Sequence, residues 1–332
     1  MRPGRPITRA RGAAGPPATA PDLERALGAV IDHCLGVREG EDVLVVADPP
    51  SRELGEAMRD VAQCHGADAT LALVEERASH GAEPPRSVAA AMRAADAFVA
   101  PTAKSLSHTR ARREATEAGV RCATLPGVTA DMLARVMAVD FERLRARSAA
   151  VARRLDEAAG ARLTCPRGTD LTLDLAGRRG IADDGDLRAP GAFGNLPCGE
   201  GFVAPAGGEG VLVASSLAAI GLADPPARLT VAGGRLTGAE GEPGERLLRL
   251  LREHGDAGTN LAELGVGTND RATLTGNVLE DEKVLGTAHV AFGASQAIGG
   301  TVSVPVHLDC VVLDATLAIG DETILEDGRL LA

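Results

Sequence analysis

The sequence predicts an α/β domain with a mostly parallel sheet, followed by an α+β, strand-rich domain that binds metal. Three features of the 332-residue chain lead to this prediction. Strand and helix patterns alternate in the first half, short strands and glycine turns dominate after Arg162, and isolated ionisable residues stand in apolar segments after Gly194. The length favours two domains, placed at residues 22–145 and 146–332, with a disordered tail at residues 1–21.

The first domain is predicted from helical periodicity that alternates with short apolar runs. The predicted helices cover residues 22–36, 51–66, 86–95 and 108–119, and the predicted strands cover residues 42–47, 67–74, 97–100 and 121–125. A long helix over residues 129–159 is expected to link this domain to the second. Strands are predicted there at residues 164–175 and, around a Gly233-Gly234 turn, at residues 227–237. No GxGxxG motif follows the first strand, so a dinucleotide site is not expected.

The composition argues against several classes of protein. The net charge of −11 comes without a basic stretch in the folded body, which argues against nucleic-acid binding. No apolar run approaches the roughly 18 residues of a membrane span, and the tail lacks the apolar core of a secretory signal. A transit peptide is the alternative interpretation of that tail. The six cysteines include no CxxC pair, which is typical of reduced thiols in a cytoplasmic protein.

His307 and Asp309 form a His-x-Asp pair within the apolar run at residues 302–313. In a strand, side chains alternate between faces, so both would project from one face together with Val311. A charged pair on so apolar a strand must be desolvated, and a divalent cation compensates best for that loss. A hydrogen-bonded His–Asp pair in a core is the alternative.

Three further segments each place one ionisable residue among small and apolar neighbours. These residues are Glu200 in NLPCGEGF, Glu263 in NLAELGVGTN and His289 in GTAHVAFG. The flanking glycines let backbones approach closely. With His307 and Asp309 they predict a site of carboxylate and imidazole ligands, which suits Zn, Co, Mn or Fe(II). Cys198 and Cys310 flank candidate ligands, but free cysteine more often packs as a small hydrophobic residue.

The ordered blocks NLPCGE, AELGVGTN, DEKVLGTAHVAFG and HLD resemble those of the aminopeptidase T and aminopeptidase S metallopeptidases, peptidase family M29. The resemblance is densest over residues 194–330 and weaker over the first half. It implies that the five donors bind a pair of catalytic divalent ions, with Zn, Co or Mn as candidates. It also implies that a metal-activated water cleaves an amide or peptide bond, with Glu263 as a ligand that bridges the ions or acts as general base.

One position departs from that pattern. The peptidases carry a tyrosine seven residues beyond the histidine that matches His289, and this position is Gln296 here. The chain contains no tyrosine, and a glutamine can donate a hydrogen bond but cannot act as a phenolic acid. Gln296 is therefore expected to bind substrate.

A related branch of the scaffold, the 2,5-dihydroxypyridine ring-cleaving dioxygenases, holds one Fe(II) with two histidines and an aspartate. By resemblance, the position of its first iron-binding histidine corresponds to Glu263, and the branch lacks a counterpart of Glu200. The donor set therefore favours the two-metal hydrolase. An Fe(II) oxygenase and a metal-binding homologue that acts on a small metabolite stay open as alternatives.

Two further residues are candidates for catalysis. His108 lies where the third strand pattern gives way to a helix, at the edge where parallel sheets bind ligands, although Ser107 or Thr109 could simply cap that helix. Lys283 is one of only two lysines, which indicates a need for a compact ammonium; the alternative is a solvated charge in an exposed acidic turn at residues 280–283. We expect a cytoplasmic homodimer that acts on a small peptide or small-molecule substrate.

Overall fold

The computed structural model describes residues 19–320 and 322–331. Most of the tail predicted at residues 1–21 lies outside the described residues, and the first helix begins at Ala20. The α-helices are α1 Ala20–Gly28, α2 Arg52–Cys64, α3 Arg86–Ala94, α4 Arg110–Glu117, α5 Ala130–Val136, α6 Phe141–Glu157, α7 Glu242–Arg252, α8 Gly255–Gly258 and α9 Val278–Asp281. A π-helical segment Ala29–Cys34 extends α1, and Pro49–Ser51 and Gln296–Ile298 are 3₁₀ turns.

Strands fill much of the remaining chain. They are β1 Asp42–Ala47, β2 Asp68–Leu73, β3 Ala97–Ala100, β4 Arg121–Thr124, β5 Gly160–Thr164, β6 Asp170–Asp174, β7 Ile181–Asp183, β8 Phe193–Asn195, β9 Glu200–Val203, β10 Gly207–Leu217, β11 Gly221–Ala232, β12 Arg235–Glu240, β13 Leu261–Gly267, β14 Ala288–Gly293, β15 His307–Val312, β16 Thr316–Ile319, β17 Glu322–Glu326 and β18 Arg329–Leu330. They form two sheets, one parallel and one antiparallel. The broad prediction of an α/β region followed by a strand-rich region is therefore confirmed.

The parallel sheet has the strand order β2-β1-β3-β4-β8. The four strands predicted in the first half are confirmed, each within one residue at either end. In β1, Val43 and Val45 pack into one hydrophobic core, whereas Leu44 and Val46 pack into another on the opposite face. Because helices bury both faces, each strand is a continuous apolar run, which is why the sequence pattern locates it.

The antiparallel sheet of 13 strands makes up most of the second half. Its main path is β18-β17-β16-β5-β6-β10-β15-β14-β13-β9-β7, and the β11–β12 hairpin extends from β10. Gly233 and Gly234 turn that hairpin with φ values of 59° and 67°, which favour glycine, so the predicted turn is confirmed. The main core of this half lies between the sheet and the apolar sides of α6 and α7.

The two sheets are joined by β8. Although β8 comes from the second half of the sequence, it pairs with β4 in the parallel sheet, with Thr124 beside Asn195. The carboxyl ends of the parallel strands face the large sheet, and a cavity of about 320 Å³ lies between the two. Across the described residues, no helix is both long enough and apolar enough to cross a membrane.

The single long helix predicted at residues 129–159 is wrong. The chain instead forms α5 and α6, separated by a break at residues 137–140. Asp140 begins α6 as its N-cap, since its carboxylate accepts hydrogen bonds from the backbone N–H groups of Glu142 at 3.1 Å and Arg143 at 3.2 Å. A side chain that satisfies these otherwise unpaired donors starts a new helix inside what looks like continuous periodicity.

The apolar run at residues 302–313 is also only partly a strand. Residues 302–306 lie outside β15, which begins at His307. Pro305 has no backbone N–H to donate to a ladder, which accounts for the late start of the strand. The alternation predicted for His307 and Asp309 nevertheless falls within β15.

The acidic turn at residues 280–283 is buried, so the alternative of an exposed, solvated turn is wrong. Glu280 is 0% exposed and forms an ion pair with Arg135. Asp281 accepts hydrogen bonds from the Ser216 hydroxyl at 2.6 Å and from the backbone N–H of Thr275 at 2.7 Å. Such partners compensate the desolvation of these carboxylates, and they come from distant parts of the sequence.

Candidate metal centre

The five predicted donors lie on one face of four adjacent strands, β9, β13, β14 and β15. Glu200 lies beside Gly267, His289 beside Gly265 and Val311, and Asp309 beside Ala291, which in turn lies beside Glu263. The alternate residues of the same strands, among them Leu264, Val290 and Cys310, point into the core behind the sheet. The prediction that His307 and Asp309 share a face is therefore confirmed, and Cys310 faces away from the donors.

A β-bulge directs Glu263 to the face that carries the other donors. Leu261 pairs with Phe292, but Glu263 pairs with Ala291, so one extra residue is inserted in β13 between them. Without the bulge, Leu261 and Glu263 would share a face, because side chains alternate with a period of two. The bulge lets Leu261 enter the core while the carboxylate of Glu263 faces the donors.

Gly265 makes room for the imidazole of His289 on the neighbouring strand. A Cβ atom at position 265 would lie 2.0 Å from His289 Nε2, far inside van der Waals contact. Position 265 therefore needs glycine because a side chain there would collide with His289. The backbone conformation does not impose glycine, since Gly265 lies within the strand β13. This explains why the sequence places glycine beside an ionisable residue in this block.

The donors form two triads that share Glu263. In the Glu200 triad, His289 Nε2 lies 3.1 Å from Glu200 Oε2 and 3.3 Å from Glu263 Oε1. In the Asp309 triad, His307 Nε2 lies 3.4 Å from Glu263 Oε2 and 3.5 Å from Asp309 Oδ1. Each triad brings one ligand atom per residue within 4.8 Å of the others. The two oxygens of Glu263 thus face different triads.

The chemistry of these atoms fits divalent cations. Glu200 and Glu263 are each 6% exposed and His289 is 0% exposed, so the carboxylate charges are largely removed from water. Although burial favours the neutral imidazole, the adjacent carboxylates raise the pKa of His289 and of His307 well above the usual value. Within the described structure, Glu200 Oε2 accepts no hydrogen bond, although it is buried. A cation at the triads would satisfy this oxygen and the carboxylate charge.

Lys283 lies behind Glu200 instead of lining the cavity. Its side chain is 1% exposed, and its Nζ donates a hydrogen bond to Glu200 Oε1. Nζ also lies 2.9 Å from Glu282 Oε1 and 3.3 Å from Asp183 Oδ2. Burial alone favours the neutral amine, but these carboxylates raise the pKa of Lys283 well above its usual value. Lys283 is thus placed to act on the site through Glu200.

His108 reaches the same cavity from the parallel sheet. Its ring is stacked against that of His307, with centroids 5.8 Å apart. Burial, followed by the neighbouring His307, lowers the pKa of His108 to about 4, so the imidazole is neutral near pH 7. The capping interpretation of this segment is also confirmed, since Thr109 Oγ1 accepts a hydrogen bond from the backbone N–H of Arg112. The capping residue is Thr109, the neighbour of His108.

The remaining sequence candidates lie around the cavity, and three residues were not foreseen. Gln296 is exposed on a 3₁₀ turn and lines a neighbouring cavity that His108 also lines. Asp183 and Glu282 line the donor cavity, as does Asn195 at the end of β8. Asn195 and Glu282 belong to the blocks NLPCGE and DEKVLGTAHVAFG, and Asp183 begins the acidic run DDGD at residues 183–186, but none of these patterns marks its residue as part of a cavity wall.

Asn195 is held by a network of buried hydroxyls. Its Oδ1 accepts hydrogen bonds from Thr124 Oγ1 at 2.6 Å and from Ser107 Oγ at 3.0 Å. Ser107 in turn accepts one from Ser105 Oγ at 2.8 Å. The parallel sheet thus supplies neutral polar groups to the cavity, whereas the antiparallel sheet supplies the charged donors.

The fold and the donor set define a metal-dependent enzyme on the scaffold that the M29 peptidases share. Residues 22–332 match the family model described as NicX, 2,5-dihydroxypyridine 5,6-dioxygenase. Because this match covers nearly the whole chain, the protein belongs to that family. The comparison with curated proteins gives no match.

Two solved structures show the same architecture. The 2,5-dihydroxypyridine dioxygenase from Pseudomonas putida KT2440 superposes with a TM-score of 0.82 at 18% identity, covering 95% of this chain and 99% of that chain. AmpT from Thermus thermophilus superposes with a TM-score of 0.68 at 20% identity, covering 94% and 99%. At such identities the likeness establishes the fold, and the resemblance to the M29 scaffold with its dioxygenase branch is confirmed.

Proposed function

We propose that this protein is a hydrolase that cleaves an amide bond in a small substrate with a water activated by two divalent ions. The main support for this proposal is that the two donor triads share Glu263. A single ion with an open catalytic position uses about three protein ligands, whereas five donors, one of them a carboxylate shared by two triads, suit a pair of ions. Zn, Co and Mn all accept this mixture of carboxylate and imidazole ligands.

The residues divide into metal ligands and groups that handle the substrate. Bound divalent ions would polarise the scissile carbonyl and lower the pKa of a bound water. Glu263 would hold both ions, Glu200 and His289 would complete one shell, and His307 and Asp309 the other. From across the cavity, the neutral imidazole of His108 is placed to orient substrate or to relay a proton.

The cavity supports a small substrate. Its volume of about 320 Å³ is near the lower end of the range for ligand pockets. The lining includes Asp183 and Glu282, whose carboxyl groups already contact Lys283 Nζ. Gln296 lines the adjoining cavity and is proposed to bind the part of the substrate that extends beyond the donor cavity.

The test is a parallel assay of both chemistries. Metal-free protein is reconstituted with Zn, Co or Mn and assayed on aminoacyl-anilides, dipeptides and small amides, and separately with Fe(II) under anaerobic loading on 2,5-dihydroxypyridine with an oxygen electrode. We expect amide cleavage with at least one of the first three metals and no oxygen uptake. Oxygen consumption with Fe(II), together with no cleavage of any amide, would overturn the proposal.

The second candidate is an Fe(II)-dependent ring-cleaving dioxygenase. It is favoured by the family match over residues 22–332 and by the higher TM-score of the dioxygenase, 0.82 against 0.68. The Asp309 triad of Glu263, His307 and Asp309 would hold the iron, with a carboxylate at the position that corresponds to the branch's first iron-binding histidine. This candidate leaves Glu200 and His289 without a ligand role and puts a glutamate where the branch uses a histidine, and for these reasons we place it second.

A further inference from the structure

Lys283 distinguishes the Glu200 triad from the Asp309 triad. Glu200 Oε1 is engaged by the ammonium of Lys283, so only Oε2, which faces His289 at 3.1 Å, is open to an ion. Throughout the described residues, no lysine or arginine forms an ion pair with Glu263 or Asp309. The two triads therefore differ in their electrostatic surroundings, although they share a carboxylate.

The position of Lys283 is fixed by its surroundings. Its backbone carbonyl accepts a hydrogen bond from the Asn269 N–H at 2.9 Å, directly beyond the end of β13. Its ammonium is surrounded by Asp183, Glu200 and Glu282, and its side chain is 1% exposed. The charge consequently neither moves into solvent nor is screened by it.

We propose that Lys283 makes the two metal sites unequal, so that the first ion binds at the Asp309 triad and the second binds more weakly at the Glu200 triad. The inference rests on the two-ion site proposed above. An ion at the Glu200 triad shares a carboxylate with a buried ammonium, and the two positive charges repel each other in a region of low effective dielectric.

Lys283 also has a role before metal binds. The triads hold three carboxylates, and Lys283 supplies a permanent positive charge that reduces their mutual repulsion. Replacement of Lys283 by methionine removes this positive charge from beside Glu200. The variant should therefore be less stable without metal and should bind the second ion more tightly.

The test measures metal binding and not activity. Metal-free wild-type protein is titrated with Mn²⁺ by calorimetry, because Mn²⁺ binds thiols poorly and the chain has free cysteines. We expect two ions per chain with dissociation constants that differ by roughly tenfold or more. Glu200→Gln should remove the weak step and keep the tight one, whereas Asp309→Asn should remove the tight step.

Lys283→Met should tighten the second step by roughly tenfold, and Lys283→Arg, which keeps the charge, serves as the matched control. Two equal sites in the wild type, loss of the tight step in Glu200→Gln, or unchanged constants in a folded Lys283→Met would each overturn the inference. If Lys283→Met does not fold, the wild-type and Glu200→Gln titrations still decide the order of binding. Ordered binding of two ions without amide cleavage would contradict the proposed function and leave this inference standing.

Discussion

The two sheets contribute to the candidate site in different ways. The antiparallel sheet presents all five charged donors on one face of adjacent strands, where backbone hydrogen bonds fix their spacing. The parallel sheet contributes His108, Ser107 and Asn195 from the loops and strand end at its carboxyl edge, and none of these belongs to a donor triad. We therefore expect mutations on the two sheets to separate metal binding from substrate handling.

The largest loss of activity is expected from a substitution on the antiparallel sheet. Asp309→Asn keeps the shape of the side chain but removes the charge, and we expect loss of at least one ion and a fall in amide hydrolysis of roughly 10⁴-fold, since bound metal supplies several kcal/mol of transition-state stabilisation. Metal content by mass spectrometry and the rate of hydrolysis check this. The control is Asp60→Asn, a change at an exposed carboxylate in α2. Full metal content in the Asp309 variant would contradict the assignment of metal binding to the antiparallel sheet.

A smaller effect is expected on the parallel sheet. His108→Ala should lower kcat by roughly 10³-fold, within the range of general acid–base help, with metal content unchanged. The neighbouring Thr109→Ala is the matched control, because loss of the helix cap should lower stability by about 1 kcal/mol and leave kcat nearly unchanged. Kinetics, metal content and thermal unfolding are measured on both. Loss of metal in the His108 variant, or full activity, would contradict the assigned role.

The smallest of the three effects concerns spacing within the antiparallel sheet. Gly265→Ala places a Cβ against His289 Nε2, and the displaced imidazole should weaken the Glu200 triad and lower the rate by roughly 10²-fold. Gly238→Ala is the control, because its Cβ would lie 3.6 Å from Thr230, an ordinary contact. Mn²⁺ stoichiometry and hydrolysis are compared. Unaltered metal binding in the Gly265 variant would show that the face tolerates a shift of His289.

Much of the fold follows from local pattern. The strands β1 to β4 are continuous apolar runs because both faces are buried, and such runs are visible in a single sequence. The donors are visible for the opposite reason, since an ionisable residue such as Glu263 or His289 stands out in an otherwise apolar strand. Glycine beside His289 marks the close approach of the neighbouring strand.

The features that could not be predicted depend on partners distant in sequence. The sequence around Glu280 and Lys283 resembles a solvated turn, because their ion-pair partners, Arg135 and Glu200, are distant along the chain. The bulge before Glu263 depends on how β13 pairs with β14, and the sequence of one strand alone does not determine that pairing register. The break at Asp140 was hidden by helical periodicity on both sides of it.

The pairing of β8 with β4 has a consequence for the order in which the parts of the site are synthesised. Because Phe193–Asn195 forms the last strand of the parallel sheet, that sheet stays one strand short until the ribosome has delivered residue 195. All five donors follow, beginning with Glu200. The nascent chain therefore contains every strand of the parallel sheet before it contains any of the five donors.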